Sequence, residues 1–243
     1  MRIPLRRLLG RALVLAVVGL VLFTVIEEHL GNSAVKAVCE RDGGLTLNAP
    51  TTKQGFLYGA GSGSDCISCI EYLASGNFTY VDYMAKGDGY GYLFPRGGYY
   101  RMTIGTVGDP ACAAYDKAIG LVKSSADYFG LLPTQCIAVT PLPARPTGPV
   151  YSTLLHNEPA PWGITLSVWE HRIDDSSSGQ EVAVLRDYRF YSKLAGLLDE
   201  SGGGGTSSST CWTFVKKGGR FPSVSDLFSA AFVRPSPTAG SEN

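Results

Sequence analysis

Two cysteines in the first third of the chain have the spacing that thiol–disulfide exchange requires. Cys66 and Cys69 form a C-x-x-C motif, in which one thiolate attacks a disulfide and a second thiol resolves the intermediate. Ser64 or Asp65 can cap a helix that begins at this motif, and a helix N-terminus lowers the pKa of a thiol. These features predict Cys66 as the nucleophile and Cys69 as the resolving cysteine.

The sequence around this motif does not resemble that of known thiol–disulfide oxidoreductases. No clear strand and no aromatic residue directly precede Cys66, and regular βαβ alternation is absent from the surrounding pattern. The alternative is that Cys66 and Cys69 each form a structural disulfide with a distant partner, such as Cys39 or Cys211. Both readings stay open on sequence grounds.

Metal binding and hydrolysis have less support from the sequence. A zinc site needs a second cysteine pair or two closely spaced histidines, whereas His156 and His171 lie far apart in the sequence. The glycine-rich segment around Ser62 lacks the glycine two residues earlier that a nucleophile elbow requires. We therefore expect no metal ion and no cofactor, and the catalytic residues of any hydrolase activity remain unknown.

A cluster of tyrosines beside glycine turns is the candidate binding surface. Tyrosine offers a rigid amphipathic ring that suits a glycan or protein partner. The candidates for this surface are Tyr90, Tyr92, Tyr99 and Tyr100, with Tyr80 and Tyr83 nearby. The alternative is that half of these rings pack into the core, because successive side chains of a strand point to opposite faces.

All six cysteines follow the apolar N-terminal segment, and an even number in an exported chain favours disulfides. They are Cys39, Cys66, Cys69, Cys112, Cys136 and Cys211. Cys112 lies on the apolar side of a predicted helix, and Cys136 begins the strand that follows. A helix that returns onto its neighbouring strand brings the two together, so we expect a Cys112–Cys136 disulfide. The pairing of the other four is not determined by the sequence.

The N-terminal segment has the composition of a membrane anchor. Residues 12–26 carry no charge, and the apolar stretch extends back to Leu8 with only Gly10 and Arg11 as interruptions. Residues 8–26 therefore approach the ~20 residues needed to span hydrocarbon. Arginines precede the stretch and two glutamates follow it, which predicts a cytoplasmic N-terminus in the inner membrane and a periplasmic domain.

A cleaved signal peptide is the main alternative to an anchor. Cleavage needs small residues directly after the apolar stretch, but Ile26 is followed by Glu-Glu-His-Leu. A lipoprotein is disfavoured, because the residues before Cys39 lack a small, apolar pattern. The anchor and the signal peptide both export the remainder of the chain, which carries a small acidic excess and no basic patch for nucleic acid.

Turn residues and hydrophobic periodicity predict the elements of the exported part. The anchor helix is expected to continue to Arg41. Strands are predicted at residues 45–47, 77–106 in three segments separated by turns, 136–142, 164–173, 182–190 and 211–215, and helices at 111–129, 192–200 and 223–231. Residues 50–64, 141–149 and 201–209 are expected to be connectors or loops, and Asp109, Pro110 and Ser223 supply helix start signals.

This order predicts an α+β fold: a single N-terminal transmembrane helix, then a mainly antiparallel sheet domain with one principal helix and disulfides. We expect an anchor and stalk at residues 1–37, an extracytoplasmic domain at 38–233 and a disordered tail at 234–243.

The segment Cys39-Glu40-Arg41-Asp42-Gly43-Gly44 resembles a set of uncharacterised bacterial membrane-anchored or lipoprotein-like proteins with a C-x-x-D-G-G motif. The sequences around Cys112 and Cys136 resemble the same group. The resemblance covers about a third of the chain in scattered pieces. It implies a bacterial cell-envelope protein and carries no established activity or site residues.

Two functional hypotheses follow from these observations. The leading one is a membrane-anchored, non-enzymatic envelope protein whose domain binds an envelope protein or glycan, or has a structural role. The rival is a membrane-tethered thiol–disulfide oxidoreductase that uses Cys66 and Cys69.

Overall fold

The computed structural model describes residues 5–59, 66–86, 94, 96–115, 131–192, 209–215 and 219–233. The chain divides into two compact units, which are described separately below. Unit 1 comprises Met1–Gly44, Leu154–Glu170 and Leu185–Pro222. Unit 2 comprises Leu45–Thr153, His171–Val184 and Ser223–Asn243.

The fold is α+β, as predicted, and its strands form a mixed nine-stranded sheet. The sheet order is β1-β8-β7-β6-β2-β3-β4-β5, and β9 pairs with β8. The strands are β1 Gly44–Leu47, β2 Gly55–Tyr58, β3 Tyr80–Ala85, β4 Gly98–Thr106, β5 Gln135–Leu142, β6 Pro149–Pro159, β7 Thr165–Asp175, β8 Gln180–Phe190 and β9 Ser209–Thr210. The α-helices are α1 Leu5–Asp42, α2 Ile67–Ala74 and α3 Val224–Ala231.

Strand β2 corrects the prediction that residues 50–64 are mostly loop. It pairs in parallel with both β3 and β6. Its residues Phe56 and Leu57 are both buried, because a strand inside a mixed sheet is covered on both faces. Such a short strand shows no alternation of apolar and polar residues, so its periodicity does not distinguish it from a loop. Strand β6 was not predicted either.

Strands β2 and β3 form a βαβ unit with α2 between them in the chain. This corrects the expectation that the C-x-x-C motif has no strand before it and no βαβ surroundings. The elements are too short for their periods to stand out, since β2 has four residues and α2 has eight. At Gly55 a Cβ atom would collide with the carbonyl and ring of Tyr80 on β3, so only glycine permits this close pairing.

In unit 1, α1 is one continuous helix of 38 residues. Its large apolar side chains between Leu13 and Ile26 are exposed, whereas Ala34 and Val35 are fully buried. Among the described residues, α1 is the one helix long and apolar enough to cross a membrane. The change from exposed to buried apolar residues therefore separates a segment of α1 that the described fold leaves uncovered from a segment that packs into the fold.

Strand β8 lies along the buried part of α1. Phe190 packs so closely on α1 that a Cβ atom at Gly31 would collide with its ring. Two residues further on, the Ser192 hydroxyl donates a hydrogen bond of 3.1 Å to the Glu27 carboxylate. The end of β8 therefore lies beside the residue that follows the apolar stretch of α1.

The structure agrees with the prediction for one of three elements predicted after residue 190. Residues 211–215 were predicted as a strand, but Cys211–Phe214 forms a 3₁₀ turn, because Thr210 and Thr213 cap it reciprocally. Helix α3 has the predicted capping box between Ser223 and Asp226. The predicted helix at 192–200 lies outside the described residues except at its first position.

The predicted helix at 111–129 begins with a 3₁₀ turn, Pro110–Cys112. Asp109 is its N-cap, and its carboxylate accepts a hydrogen bond of 2.8 Å from the backbone N–H of Ala111. Residues 116–129 of this prediction lie outside the described residues, as do the loop at 201–208 and the tail at 234–243.

A buried ion pair joins β3 to β4 in unit 2. Asp82 and Arg101 are directly opposite one another in the antiparallel pair, and the guanidinium donates two hydrogen bonds of 2.8 and 2.9 Å to the carboxylate. Arg101 also lies 4.0 Å from the centroid of the Tyr80 ring. The Asp82 side chain is 3 % exposed and that of Arg101 is 39 % exposed, so the carboxylate depends on its partner far more than the guanidinium does.

We expect Arg101→Met to lower the free energy of unfolding by about 3 kcal/mol, because it leaves a buried carboxylate without its partner. Adding Asp82→Asn to Arg101→Met should recover part of this loss. Urea unfolding followed by circular dichroism measures both effects. Strictly additive losses in the two single variants and the double variant would contradict the coupling.

Candidate functional site

The Cys66–Cys69 pair lies at the start of α2. Their sulfurs are at disulfide distance and their Cα atoms are 5.1 Å apart. Cys66 is the N-cap residue, and its own side chain makes no capping hydrogen bond. The backbone N–H of Cys69 donates a hydrogen bond of 3.0 Å to the carbonyl of Cys66. The pair thus occupies the first turn of the helix, where unpaired N–H groups stabilise negative charge.

Both cysteines of the pair are buried. Cys66 is 4 % exposed and Cys69 is fully buried. Neither cysteine therefore presents much surface to solvent in the closed pair. The proposed capping residues Ser64 and Asp65 lie outside the described residues.

The other four cysteines form pairs between distant elements. Cys39 of α1 and Cys211 of the 3₁₀ turn have Cα atoms 5.5 Å apart and lie 172 residues apart in sequence. Cys112 and Cys136 are at disulfide distance as well, with Cα atoms 6.0 Å apart. The structure therefore pairs Cys66 and Cys69 with one another, and neither of them with Cys39 or Cys211.

A group of aromatic rings surrounds α2 in unit 2. Tyr72 follows Cys69 by three residues on α2, and its ring centroid lies 6.5 Å from that of Tyr58 at the end of β2. Tyr58 in turn lies 5.3 Å from Tyr151 of β6. The Tyr72 ring also lies 4.6 Å from Phe228 of α3. The rings pack the helix that carries the cysteines against neighbouring elements of unit 2.

Two tyrosines of this group have strongly raised pKa values. Burial raises the pKa of Tyr72 and of Tyr151 well above the usual value, and the neighbouring phenol of Tyr58 raises both further. The Tyr151 hydroxyl is 2.8 Å from Nδ1 of His171, and the two form a hydrogen bond. These phenols stay protonated at any physiological pH and act as hydrogen-bonding and packing groups.

The predicted tyrosine surface is only partly described. Tyr90 and Tyr92 lie outside the described residues, and Tyr99 is half-buried on β4. Tyr100 is buried, its hydroxyl donates a hydrogen bond of 2.9 Å to the carbonyl of Arg96, and its ring packs 5.1 Å from Phe94. Tyr100 therefore belongs to the core and does not present its ring to a partner, because its position on β4 points inward.

Histidines and acidic residues form no metal-binding group among the described residues. His156 instead contacts the Glu158 carboxylate at 2.9 Å, and His171 contacts the Tyr151 hydroxyl.

No protein-family model, no curated protein and no solved structure matches this chain. The chemistry of the site therefore has to be argued from its own geometry. The described part of the chain offers one chemically reactive arrangement: a closely spaced cysteine pair at the N-terminus of α2, the helix that lies between the parallel strands β2 and β3 in the chain. The motif itself was visible in the sequence, whereas its βαβ setting was not.

The raised phenol pKa values predict a loss of stability at alkaline pH. A tyrosine in the unfolded chain ionises near pH 10, whereas Tyr72 and Tyr151 resist ionisation in the fold. Their contribution to stability is complete below about pH 10 and is lost as the pH rises above it. Urea unfolding of the full chain in detergent micelles, between pH 8 and about 10.5, measures this slope.

The matched comparison is the double variant Tyr72→Phe/Tyr151→Phe, which lacks both hydroxyls but keeps both rings. Its stability should fall less steeply over the same pH range than that of the wild type. Equal slopes for the two proteins would contradict the assignment of the alkaline loss to these phenols.

Proposed function

We propose that this chain is a single-pass protein of a bacterial cytoplasmic membrane whose extracytoplasmic domain exchanges thiols and disulfides through Cys66 and Cys69. The observation that carries the proposal is the closure of this pair on itself at the N-terminus of α2, within the parallel β2–α2–β3 unit. A helix N-terminus stabilises a thiolate, and a resolving cysteine three residues later lets the pair open and close.

A purely structural role explains this pair less well than it explains the other two. Chain-entropy arguments give about 2 kcal/mol for a loop as short as that between Cys66 and Cys69, against about 5 kcal/mol for the loop closed by Cys39 and Cys211. The Cys112–Cys136 pair, whose cysteines are 24 positions apart in sequence, falls between them at about 3.5 kcal/mol. The shortest loop therefore contributes least to stability.

The proposed exchange transfers two electrons from a partner protein that carries two thiols. A partner thiolate attacks the Cys66 sulfur, the Cys66–Cys69 bond breaks, and Cys69 leaves as a thiolate. The second partner thiolate then attacks the partner sulfur in the mixed disulfide, which forms the partner's disulfide and releases Cys66. The partner gives up two protons, and Cys66 and Cys69 take up two. The same steps in reverse, with a protein disulfide as oxidant, restore the pair.

A non-enzymatic binding or structural module is the second candidate. The specific observation in its favour is the burial of both cysteines, because an external thiolate must reach a sulfur in line with the bond it breaks. An envelope protein or glycan would be the partner in this case. The two candidates share the membrane anchor and differ in whether Cys66 can form a bond with a partner sulfur.

The variant Cys69→Ser tests for exchange. It leaves Cys66 without a resolving thiol, so a mixed disulfide with a disulfide-bonded model peptide should accumulate and be visible by mass spectrometry after acid quenching. The matched control is Cys66→Ser, whose remaining thiol at Cys69 is fully buried and should trap far less peptide. Absence of trapping by Cys69→Ser, with circular dichroism showing a folded protein, would favour the binding module.

The location is tested separately in bacterial spheroplasts that express the full chain. We expect the chain to stay in the membrane pellet after carbonate extraction, because α1 remains attached. Protease added outside should digest the domain and spare an N-terminal tag, because arginines precede the apolar stretch. A domain that is digested only after lysis would contradict the extracytoplasmic location. A soluble chain that begins near Val38 would contradict the anchor.

A further inference from the structure

A bulky aromatic residue stands at the tip of the β6–β7 hairpin in unit 1. The tip is the 3₁₀ turn Pro161–Gly163, and the backbone N–H of Ala160 closes it with a hydrogen bond of 2.8 Å to the carbonyl of Ile164. Trp162 has φ of 61°, which favours glycine and costs about 1–2 kcal/mol in other residues. Its apolar side chain is nevertheless 60 % exposed, so packing into the core does not offset the cost of the strained backbone.

The position of this tip follows from the strands that end beside α1. The end of β8 lies at Gly31 and Glu27 of α1, through the Phe190 ring and the Ser192 hydroxyl. Neighbouring strands β7 and β8 are joined by a short turn, which makes them antiparallel, so β7 begins where β8 ends. The β6–β7 turn therefore lies at the end of unit 1 nearest the apolar stretch of α1.

The turn also lies close to α1. Cα atoms of the Pro161–Gly163 turn lie within 8 Å of Cα atoms of α1. The apolar stretch of α1 ends at Ile26, and Glu27 follows it directly. A side chain at this end of unit 1 is thus close to the level at which α1 leaves hydrocarbon for water.

We propose that Trp162 inserts into the headgroup region of the same bilayer that α1 spans. The inference rests on the membrane anchor of the proposed function and is independent of the exchange chemistry. Tryptophan suits this depth, because its ring is largely apolar and its indole N–H reaches water or a headgroup oxygen. The hairpin tip and α1 then hold unit 1 at two points, which limits its tilt on the membrane.

Trp212 provides a matched control within the chain. It is exposed to a similar extent, 56 % against 60 %, but it follows Cys211, which is bonded to Cys39. Cys39 lies about 18 Å further along α1 than Glu27, at a rise of about 1.5 Å per residue. The two tryptophans therefore differ chiefly in their expected height above the bilayer.

The experiment uses full-length chains reconstituted in phosphatidylcholine–phosphatidylglycerol vesicles. Trp169→Phe/Trp212→Phe leaves Trp162 as the single fluorophore, and Trp162→Phe/Trp169→Phe leaves Trp212. Phosphatidylcholine brominated near the glycerol end of its acyl chain should quench Trp162 at least about threefold more than Trp212, since interfacial tryptophans lie at that depth.

The outcomes distinguish failure of Trp162 insertion from failure of the α1 anchor. If the chains float with the vesicles and Trp162 is quenched no more than Trp212, the anchor stands and the inference is overturned. In that case the tip faces water, where it is free to meet another protein. If the chains do not float with the vesicles, the anchor fails and the inference fails with it. Circular dichroism of both variants confirms that each is folded.

Discussion

The apolar first half of α1 constrains the position of the elements that pack on its second half. Large apolar side chains are exposed along α1 from Leu13 to Ile26, and each costs roughly 1.5–3 kcal/mol if it stays in water. The second half of the same helix buries Ala34, Val35 and Val38 within the fold. Because no break separates the halves, the solvent that covers the first half also sets the position of the elements packed on the second.

The three disulfides of this molecule differ in how far apart in sequence the cysteines are that they join. The Cys39–Cys211 and Cys112–Cys136 bonds join elements that are distant in sequence, so each removes much of the freedom of the unfolded chain. The bond between Cys66 and Cys69 joins neighbours on one helical turn. A fold that is stabilised by the first two bonds can open the third without losing its architecture, which is the property that an exchanging disulfide requires.

Sequence patterns predicted the elements whose signals are local. The apolar stretch of α1, the capping box of α3 and the alternation along β7 each have a strong pattern within a few residues, and all three appear in the structure. Strand β2 was missed, because a four-residue apolar strand has no period to detect and its pairing with β3 and β6 is set by distant contacts. The setting of Cys66 was missed for the same reason, since it depends on β2. Residues 211–215 have the composition of a strand, but the Thr210–Thr213 cap favours a turn.

The Cys39–Cys211 bond also determines what happens when the backbone is cut. Cys39 lies on α1 and Cys211 lies on a 3₁₀ turn, 172 positions further along the chain. A single proteolytic cut anywhere in that interval leaves two fragments that remain covalently attached. Separation of the two fragments therefore requires a reductant as well as a protease.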